Sequence, residues 1–337
     1  MLGRGFLLAL LIASAAQAQA QPYQAPRTSF GAPDLQGDWE SFSFTRLQRP
    51  KTFKSLTVSP AEADPWIAEQ RGILVGIKPA KKPGDPPEDE APDVGDVESE
   101  RYEVDHVGLA RIDGQLRSSW IVDPTDGRLP YNSLGRSAVA AALRADETEF
   151  DGPEVRMSDE RCLVGAGSPS GPPMLNTGQN SHYKIVQTPT EVAILVEMIH
   201  DVRIVRLHAR HPATPTHPWM GDSIGWWEGD TLVVETVDQN PIAATRFVNG
   251  GLLHLTPAAK VTERFTRISE NQIRYDFTVD DPAVYTRPWR AEMVLTATTQ
   301  PMYEYACHEG NYSLPNILGG ARQKEREAAE AKAKAAK

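Results

Sequence analysis

The fold class is decided by residues 224–234, which read Ile224-Gly225-Trp226-Trp227-Glu228-Gly229-Asp230-Thr231-Leu232-Val233-Val234. Two runs rich in aromatic and β-branched residues flank Glu228-Gly229-Asp230, whose composition is typical of a hairpin turn. The same alternation of short run and turn continues on both sides of this stretch, from Ser118 onward. The clearest predicted strands are residues 120–122, 183–187, 192–200, 224–228, 231–237, 261–267, 272–279 and 291–296.

This spacing of strands predicts a mainly β fold. Eight or more short strands favour an antiparallel barrel, closed or nearly closed and lipocalin/calycin-like, because closure leaves no exposed sheet edge. A highly curved sandwich is the alternative. A parallel α/β fold is disfavoured, since few helical stretches lie between the strands.

The first 20 residues have the features of a secretory signal peptide. A basic start at Arg4 precedes an apolar run over residues 6–13, and small residues form an A-x-A site at 16–18 or at 18–20. The apolar run is shorter than the roughly 20 residues of a membrane helix. We therefore expect a periplasmic or secreted protein with no membrane association after cleavage.

The remaining chain divides by composition. We expect a signal peptide at 1–20, an irregular N-terminal segment at 21–117, an antiparallel β domain at 118–322 and a charged tail at 323–337. Within the N-terminal segment, residues 59–72 are predicted to be helical, because Ser59 and Glu62 form a capping-box pattern. Residues 79–100 are rich in Pro, Asp and Glu and are predicted to form a mobile loop.

Charge and cysteine content restrict the function further. The net charge of −10 argues against nucleic acid or anionic lipid as a partner, so a small molecule is the expected ligand. Cys162 and Cys307 are the only two cysteines. In an oxidising compartment a disulfide between them is the default expectation, and two free buried thiols are the alternative.

Four motifs together resemble a large family of uncharacterised secreted bacterial proteins. They are Gly221-Asp222-Ser223-Ile224-Gly225-Trp226-Trp227-Glu228-Gly229-Asp230-Thr231-Leu232-Val233-Val234, the stretch Glu197-Met198-Ile199-His200-Asp201-Val202-Arg203, Thr286-Arg287-Pro288-Trp289, and Tyr303-Glu304-Tyr305-Ala306-Cys307-His308-Glu309-Gly310-Asn311-Tyr312. The similarity runs from about residue 31 to 322. It implies a set of positions rather than a reaction. The loop at 165–178 departs from the family pattern, since it is longer and richer in Ser and Pro.

His200 is the first catalytic candidate. On the predicted strand 192–200, alternation puts His200 on the same side as an apolar stripe, at the end of that stripe. An imidazole with a reference pKa of about 6.5 suits proton transfer at the floor of a barrel pocket. Asp201 and Arg203 could orient the ring and bind an anionic oxygen. The alternatives are a hydrogen-bonded core histidine and a simple Asp201–Arg203 pair.

His308 and Glu309 form the second candidate pair, held in place by the expected disulfide through Cys307. The alternative is a structural corner in which Glu309 and Asn311 bond backbone groups where Gly310 turns the chain.

Aromatic and charged residues complete a predicted substrate pocket. Its members are Trp226, Tyr305, Asn311, Tyr312, Arg264 and Arg287. Alternatively, most of the aromatic residues pack in the core and the arginines form ion pairs along the strands.

Metal and cofactor chemistry is not expected. The histidines lack close spacings such as H-x-x-x-H, and no phosphate-binding loop or dinucleotide fingerprint is present. Gly221-x-Ser223-x-Gly225 fits a nucleophile elbow by spacing, but a strand rather than a helix is predicted after Ser223.

Two hypotheses about function remain. The first is a cofactor-independent enzyme of the lyase, isomerase or hydratase type, in which His and carboxylate groups move protons on a small aromatic or sugar-derived molecule. The second is a non-catalytic periplasmic protein that binds such a ligand without changing it. The two separate His-carboxylate dipeptides favour the enzyme slightly.

Overall fold

A computed structural model of the chain describes residues 23–74, 107–142, 150–158, 160–165, 169–176 and 181–335. The predicted signal peptide at 1–20 and the acidic, Pro-rich loop at 79–100 lie outside these ranges.

The described residues form fifteen strands and three α-helices. The strands are β1 (Gly37–Glu40), β2 (Thr57–Val58), β3 (Arg111–Ile112), β4 (Gln115–Arg117), β5 (Ile121–Asp123), β6 (His182–Gln187), β7 (Glu191–Val196), β8 (Val202–Leu207), β9 (Asp222–Glu228), β10 (Thr231–Val237), β11 (Thr245–Val248), β12 (Gly251–His254), β13 (Lys260–Ser269), β14 (Gln272–Asp280) and β15 (Trp289–Ala297). The helices are α1 (Pro60–Leu74), α2 (Ser133–Ala142) and α3 (Ser313–Ala335).

Nine of the strands close into a barrel, so the predicted β-barrel is confirmed. The order around the barrel is β1-β6-β7-β8-β9-β10-β13-β14-β15, and β15 returns to β1 through the pairs Trp39↔Ala297 and Glu40↔Thr296. β1 thus joins the barrel from within the segment at 21–117 that was predicted to be irregular. Strand β5 pairs with β15 beside this closure.

The expectation of a purely antiparallel sheet is wrong at one place. β8 and β9 are parallel, and they pair only through Arg206↔Ile224 and Leu207↔Gly225. A parallel pair needs a crossover connection. The Pro-rich stretch at 208–221 supplies it, because it carries the chain back to the starting end of β8 before β9 begins.

The barrel core follows from strict alternation along its long strands. On β14 the buried positions alternate with half-buried ones. Phe265, Tyr275 and Phe277 form a continuous row of rings whose centroids lie 4.8 and 5.4 Å apart, and Trp289 continues it at 5.6 Å from Phe277. Burial of these large rings contributes to the hydrophobic stabilisation of the interior.

The helix predicted at residues 59–72 is present as α1, and its predicted capping box forms. The Ser59 backbone N–H donates to Glu62 Oε2 at 2.9 Å, and the Glu62 N–H donates to Ser59 Oγ at 3.4 Å, which completes the capping box. The C-terminal helix α3 begins ten residues before the predicted tail at 323–337 and is exposed over most of its length.

An irregular segment at 169–176 closes one part of the barrel interior. Met174 and Leu175 are buried, and the Met174 N–H donates to Tyr275 Oη at 2.9 Å. Asn176 accepts a 2.7 Å hydrogen bond from Trp120 Nε1 and donates to the Ser43 carbonyl at 2.8 Å. These side-chain and backbone contacts bind the segment to the sheet without forming a strand.

Candidate functional site

A cleft of about 470 Å³ lies beside the first half of β8. β9 pairs only with the end of β8, so the start of β8 diverges from residues 218–221 and leaves a gap. Val202 and Ile204 are 48% and 44% exposed, which places this cleft on the outer face of the sheet rather than inside the barrel. The lining residues are Cys162, Leu163, Ile199, His200, Asp201, Val202, Arg203, Ile204, Pro218, Trp219, Met220 and Gly221.

His200 lines this cleft, but the prediction that it belongs to a strand is wrong. β7 ends at Val196, and residues 198–200 form a short 3-10 turn. The φ angles of Ile199 and His200 are 58° and 48°, in the left-handed region that β-branched residues in particular avoid. The turn directs His200 to the surface instead of along the apolar stripe. Strained backbone of this kind clusters at functional sites.

The hydrogen bond of His200 fixes its tautomer. Its Nδ1 lies 3.1 Å from the backbone carbonyl oxygen of Tyr305. A carbonyl oxygen can only accept, so Nδ1 carries the hydrogen and Nε2 of the neutral ring keeps its lone pair. Tyr305 therefore acts on the site through its main chain, whereas its side chain was predicted to bind substrate.

The disulfide between Cys162 and Cys307 is confirmed and stabilises this arrangement. The two Cα atoms are 5.8 Å apart and separated by 145 residues in sequence. Cys307 is two residues from the carbonyl that holds His200, and Cys162 lines the cleft. The covalent link thus joins the two chain segments that border the His200 ring.

Asp201 is the second ionisable group of the cleft. Its Oδ2 accepts hydrogen bonds from the Gly165 backbone N–H at 3.1 Å and from Ser170 Oγ at 2.5 Å. Burial raises the pKa of Asp201 above its usual range, although both hydrogen bonds and nearby His200 act in the opposite direction. A proton-accepting imidazole and a carboxyl group of raised pKa therefore lie side by side.

Arg203 does not join Asp201. Alternation along β8 turns its side chain into the barrel, where Nη1 and Nη2 donate to Glu263 at 2.6 and 3.0 Å. Tyr275 Oη donates to the same carboxylate at 2.6 Å. Neither the predicted orienting role nor the simple Asp201–Arg203 pair describes this residue, because Asp201 precedes β8 and is bonded to Gly165 and Ser170, whereas Arg203 is bonded to Glu263.

The second predicted pair is not brought to the cleft. His308 and Glu309 are exposed in a turn and are not among the residues that line the cleft. Asn311 Nδ2 donates to the Glu160 backbone carbonyl at 2.6 Å, which is a structural contact of the kind considered above. Tyr312 is exposed.

The other predicted pocket residues form surface contacts. Trp226 Nε1 donates to Glu228 Oε1 at 2.9 Å, and Arg264 contacts the same carboxylate at 2.9 Å. Arg287 makes a bidentate pair with Asp123 at 3.0 and 2.8 Å. Both arginines are ion-paired, and neither lines the cleft.

Sequence reasoning missed two features. Trp219 and Met220 of the Pro-rich stretch at 208–221 border the cleft, although neither was among the predicted pocket residues. The other is His182, whose Nδ1 lies 3.0 Å from Glu197 Oε2 and whose Nε2 lies 3.4 Å from Glu40 Oε2. Its hydrogen bond to Glu40, together with Glu197, raises the pKa of His182 despite partial burial. Because the three residues are far apart in sequence, spacing alone gave no signal for this cluster.

Other chemistries find little support in the described ranges. Ser223 lies within β9, is buried and shares a 2.8 Å hydrogen bond with Thr236 Oγ1, so it does not form a nucleophile elbow. No group of three metal-binding side chains occurs among the described residues. Of the helices described, none has both the length and the apolar character needed to cross a bilayer.

The chain matches no protein-family model, no curated protein and no solved structure. The resemblance of the four motifs to a secreted bacterial family therefore stays a prediction.

Proposed function

We propose that this protein is a periplasmic or secreted, cofactor-independent enzyme of the lyase, isomerase or hydratase type, with His200 as general base and Asp201 as general acid. The observation that carries the proposal is the fixed tautomer of His200. Nδ1 is committed to the Tyr305 carbonyl, which leaves Nε2 as a proton acceptor beside a carboxyl group of raised pKa.

The two groups supply both halves of an elimination. Nε2 of His200 removes a proton from a substrate carbon as that C–H bond breaks. Asp201 donates its proton to the departing oxygen as the C–O bond breaks and a C=C bond forms. The reverse sequence is hydration, and return of the proton to a neighbouring carbon is isomerisation. A positioned acid or base of this kind contributes about 10²- to 10⁴-fold in rate.

The walls of the cleft favour a small aromatic or sugar-derived substrate. Val202 and Ile204 present aliphatic side chains, and Trp219 and Met220 border the opposite side. Flat apolar rings and the C–H faces of sugars pack against such surfaces, whereas polar contacts at one end fix their orientation. A disulfide near the site suits an oxidising compartment.

A non-catalytic ligand-binding protein is the second candidate. The apolar lining beside β8 favours it, because such a cleft binds a small molecule without needing Nε2 or the Asp201 proton.

The test is incubation of the purified protein, without added cofactor, with a panel of aromatic and sugar-derived metabolites, followed by mass spectrometry. His200→Asn is the informative variant, since Asn tolerates left-handed backbone. His208→Asn is the matched control, because His208 is also exposed with φ 57° but does not line the cleft. Asp201→Asn tests the acid while keeping an oxygen for Ser170.

We expect wild type and His208→Asn to convert a substrate, and His200→Asn and Asp201→Asn to lose at least about 10²-fold in turnover while still binding it. Ligand-dependent thermal stabilisation with unchanged masses would instead support the binding protein. Turnover that survives both cleft substitutions would exclude the assignment of the base and acid.

A further inference from the structure

Two buried guanidinium groups lie near one another where Arg203 points into the barrel. Arg203 and Arg246 are both buried, and Glu263 is the one carboxylate among the described residues that acts on either guanidinium. Both terminal nitrogens of Arg203 donate to Glu263. The hydrogen bonds of Arg246 go to neutral oxygens: the Ala243 carbonyl at 3.2 Å, the Pro172 carbonyl at 2.9 Å and Gln239 Oε1 at 3.3 Å. One buried positive charge thus has no negative partner of its own.

The electrostatic consequence falls on Arg246. Burial, followed by the nearby Arg203, lowers the pKa of Arg246 to about 10. An uncompensated buried charge is costly, and proteins normally pair it.

The same region holds buried donors that lack acceptors. Arg203 Nε, Gln239 Nε2 and Tyr183 Oη have no hydrogen-bond partner in the described structure, and all three residues are buried. Unsatisfied buried groups are rare and ask for an explanation such as a bound ion or water. The three unpartnered donors lack hydrogen-bond acceptors, and Arg246 lacks a negatively charged partner. A bound anion would supply both the acceptors and the negative charge.

We propose that the barrel interior binds a small monovalent anion, either a halide or a carboxylate group, beside Arg246, Gln239 and Arg203. The site goes beyond the proposed function, since it needs no turnover. Gly221 lies between it and the cleft: a Cβ at Gly221 would come within 3.2 Å of Gln239 Nε2, while Gly221 itself lines the cleft. The anion thus lies about one residue's thickness behind the cleft wall.

Gln239→Glu is the sharpest test, because it builds the missing acceptor and negative charge into the protein. The carboxylate can still accept from Arg246, and the unpartnered Nε2 donor disappears. Gln187→Glu is the matched control. Gln187 is 6% exposed against 1% for Gln239, but its Nε2 already donates to the Pro33 carbonyl at 3.0 Å. The same substitution there breaks that hydrogen bond, and the described hydrogen bonds of Gln187 include none to an arginine or lysine.

The measurement is thermal unfolding at fixed ionic strength in gluconate, a carboxylate too bulky for a site that takes a small anion, with bromide or acetate replacing part of it. We expect the Tm of wild type to rise by at least about 2 °C with one of these anions. A response to bromide but not acetate identifies a halide site, and the opposite identifies a carboxylate site. Gln239→Glu should raise the Tm in gluconate and remove the anion response. Gln187→Glu should lower the Tm and retain the anion response.

Tyr183→Phe and bromide crystals provide independent readouts. Loss of an unpartnered hydroxyl should leave the Tm in gluconate unchanged or higher, yet weaken the anion response. If the Tm responds to bromide, anomalous diffraction from bromide-soaked crystals should place the ion next to Arg246. Absence of any anion response, or a Gln239→Glu variant that unfolds as readily as Gln187→Glu, would mean that the interior holds only water and would overturn the proposal. Neither result bears on the activity of His200.

Discussion

Removal of the disulfide, by Cys162→Ala combined with Cys307→Ala, should cost several kcal/mol of stability. The bond closes a loop of 145 residues in sequence separation. The loop-closure relation for such a length gives about 5 kcal/mol, and removal of native disulfides typically costs 2–5 kcal/mol. Since domains are stable by about 5–15 kcal/mol, this one bond accounts for a large share of the total.

The structure adds a local consequence to this global one. Besides the disulfide, the segment at 303–312 is held by packing of Tyr305 against the core and by hydrogen bonds such as the Tyr303 N–H to Glu197 Oε1 at 2.9 Å and Asn311 Nδ2 to the Glu160 carbonyl at 2.6 Å. Loosening the segment withdraws the Tyr305 carbonyl from His200. We therefore expect the double variant to keep its β-sheet spectrum but lose activity before it unfolds.

Guanidinium unfolding, followed by the fluorescence of the seven tryptophans, measures the effect. The midpoint should fall and the m-value should rise, because an unfolded chain without the cross-link exposes more surface. Wild type reduced with dithiothreitol is the control and should behave like the double variant. A loss under about 1 kcal/mol with an unchanged m-value would refute the loop-closure reasoning.

Three further predictions concern stability. The hydrogen bond to Glu40 raises the pKa of His182, so His182→Gln should lower stability at pH 5–6, below the unfolded pKa of about 6.5. The difference from wild type should vanish as the pH rises through the folded pKa. Unfolding curves measured over a pH series test this. Burial raises the pKa of Asp276 to about 6, and its Oδ1 has no hydrogen-bond partner among the described residues. Asp276→Asn should therefore stabilise the protein at pH 8 but not at pH 3. Equal effects at both pH values would contradict this. Gly229 has φ 60° and open space around a Cβ, so Gly229→Ala should lower the free energy of unfolding by about 1 kcal/mol. Gly221 has φ 67°, and a Cβ there would lie 2.8 Å from a backbone oxygen, so Gly221→Ala should cost at least about twice as much. The same denaturation assay measures both.

Part of the catalytic assignment was accessible from sequence because it depended on residue type. His200 and Asp201 were singled out as an acid–base pair from their chemistry, and both line the cleft. His308 and Glu309 satisfied the same criterion of adjacent imidazole and carboxylate, yet they lie in an exposed turn. A dipeptide specifies the chemistry available but not the cavity in which it acts.

Local sequence patterns were sufficient to predict the β class, the main hairpins, the first helix and the disulfide. The hairpins and the helix depend on residues close together in the chain: Glu228-Gly229-Asp230 forms the turn between two adjacent strands, and Ser59 and Glu62 cap the helix that they begin. The disulfide follows because two cysteines allow only one pairing.

The parallel pairing of β8 with β9, and with it the cleft, depends on long-range contacts that local patterns do not encode. Pairing over two residues leaves the rest of β8 open, and no local pattern encodes how far two strands separated by a long loop will diverge. The left-handed turn at 198–200 and the Arg203–Glu263 ion pair have the same origin, since they are stabilised by partners 60 to 105 residues away along the chain. Interactions of that range are fixed by barrel closure, which the whole sequence determines jointly.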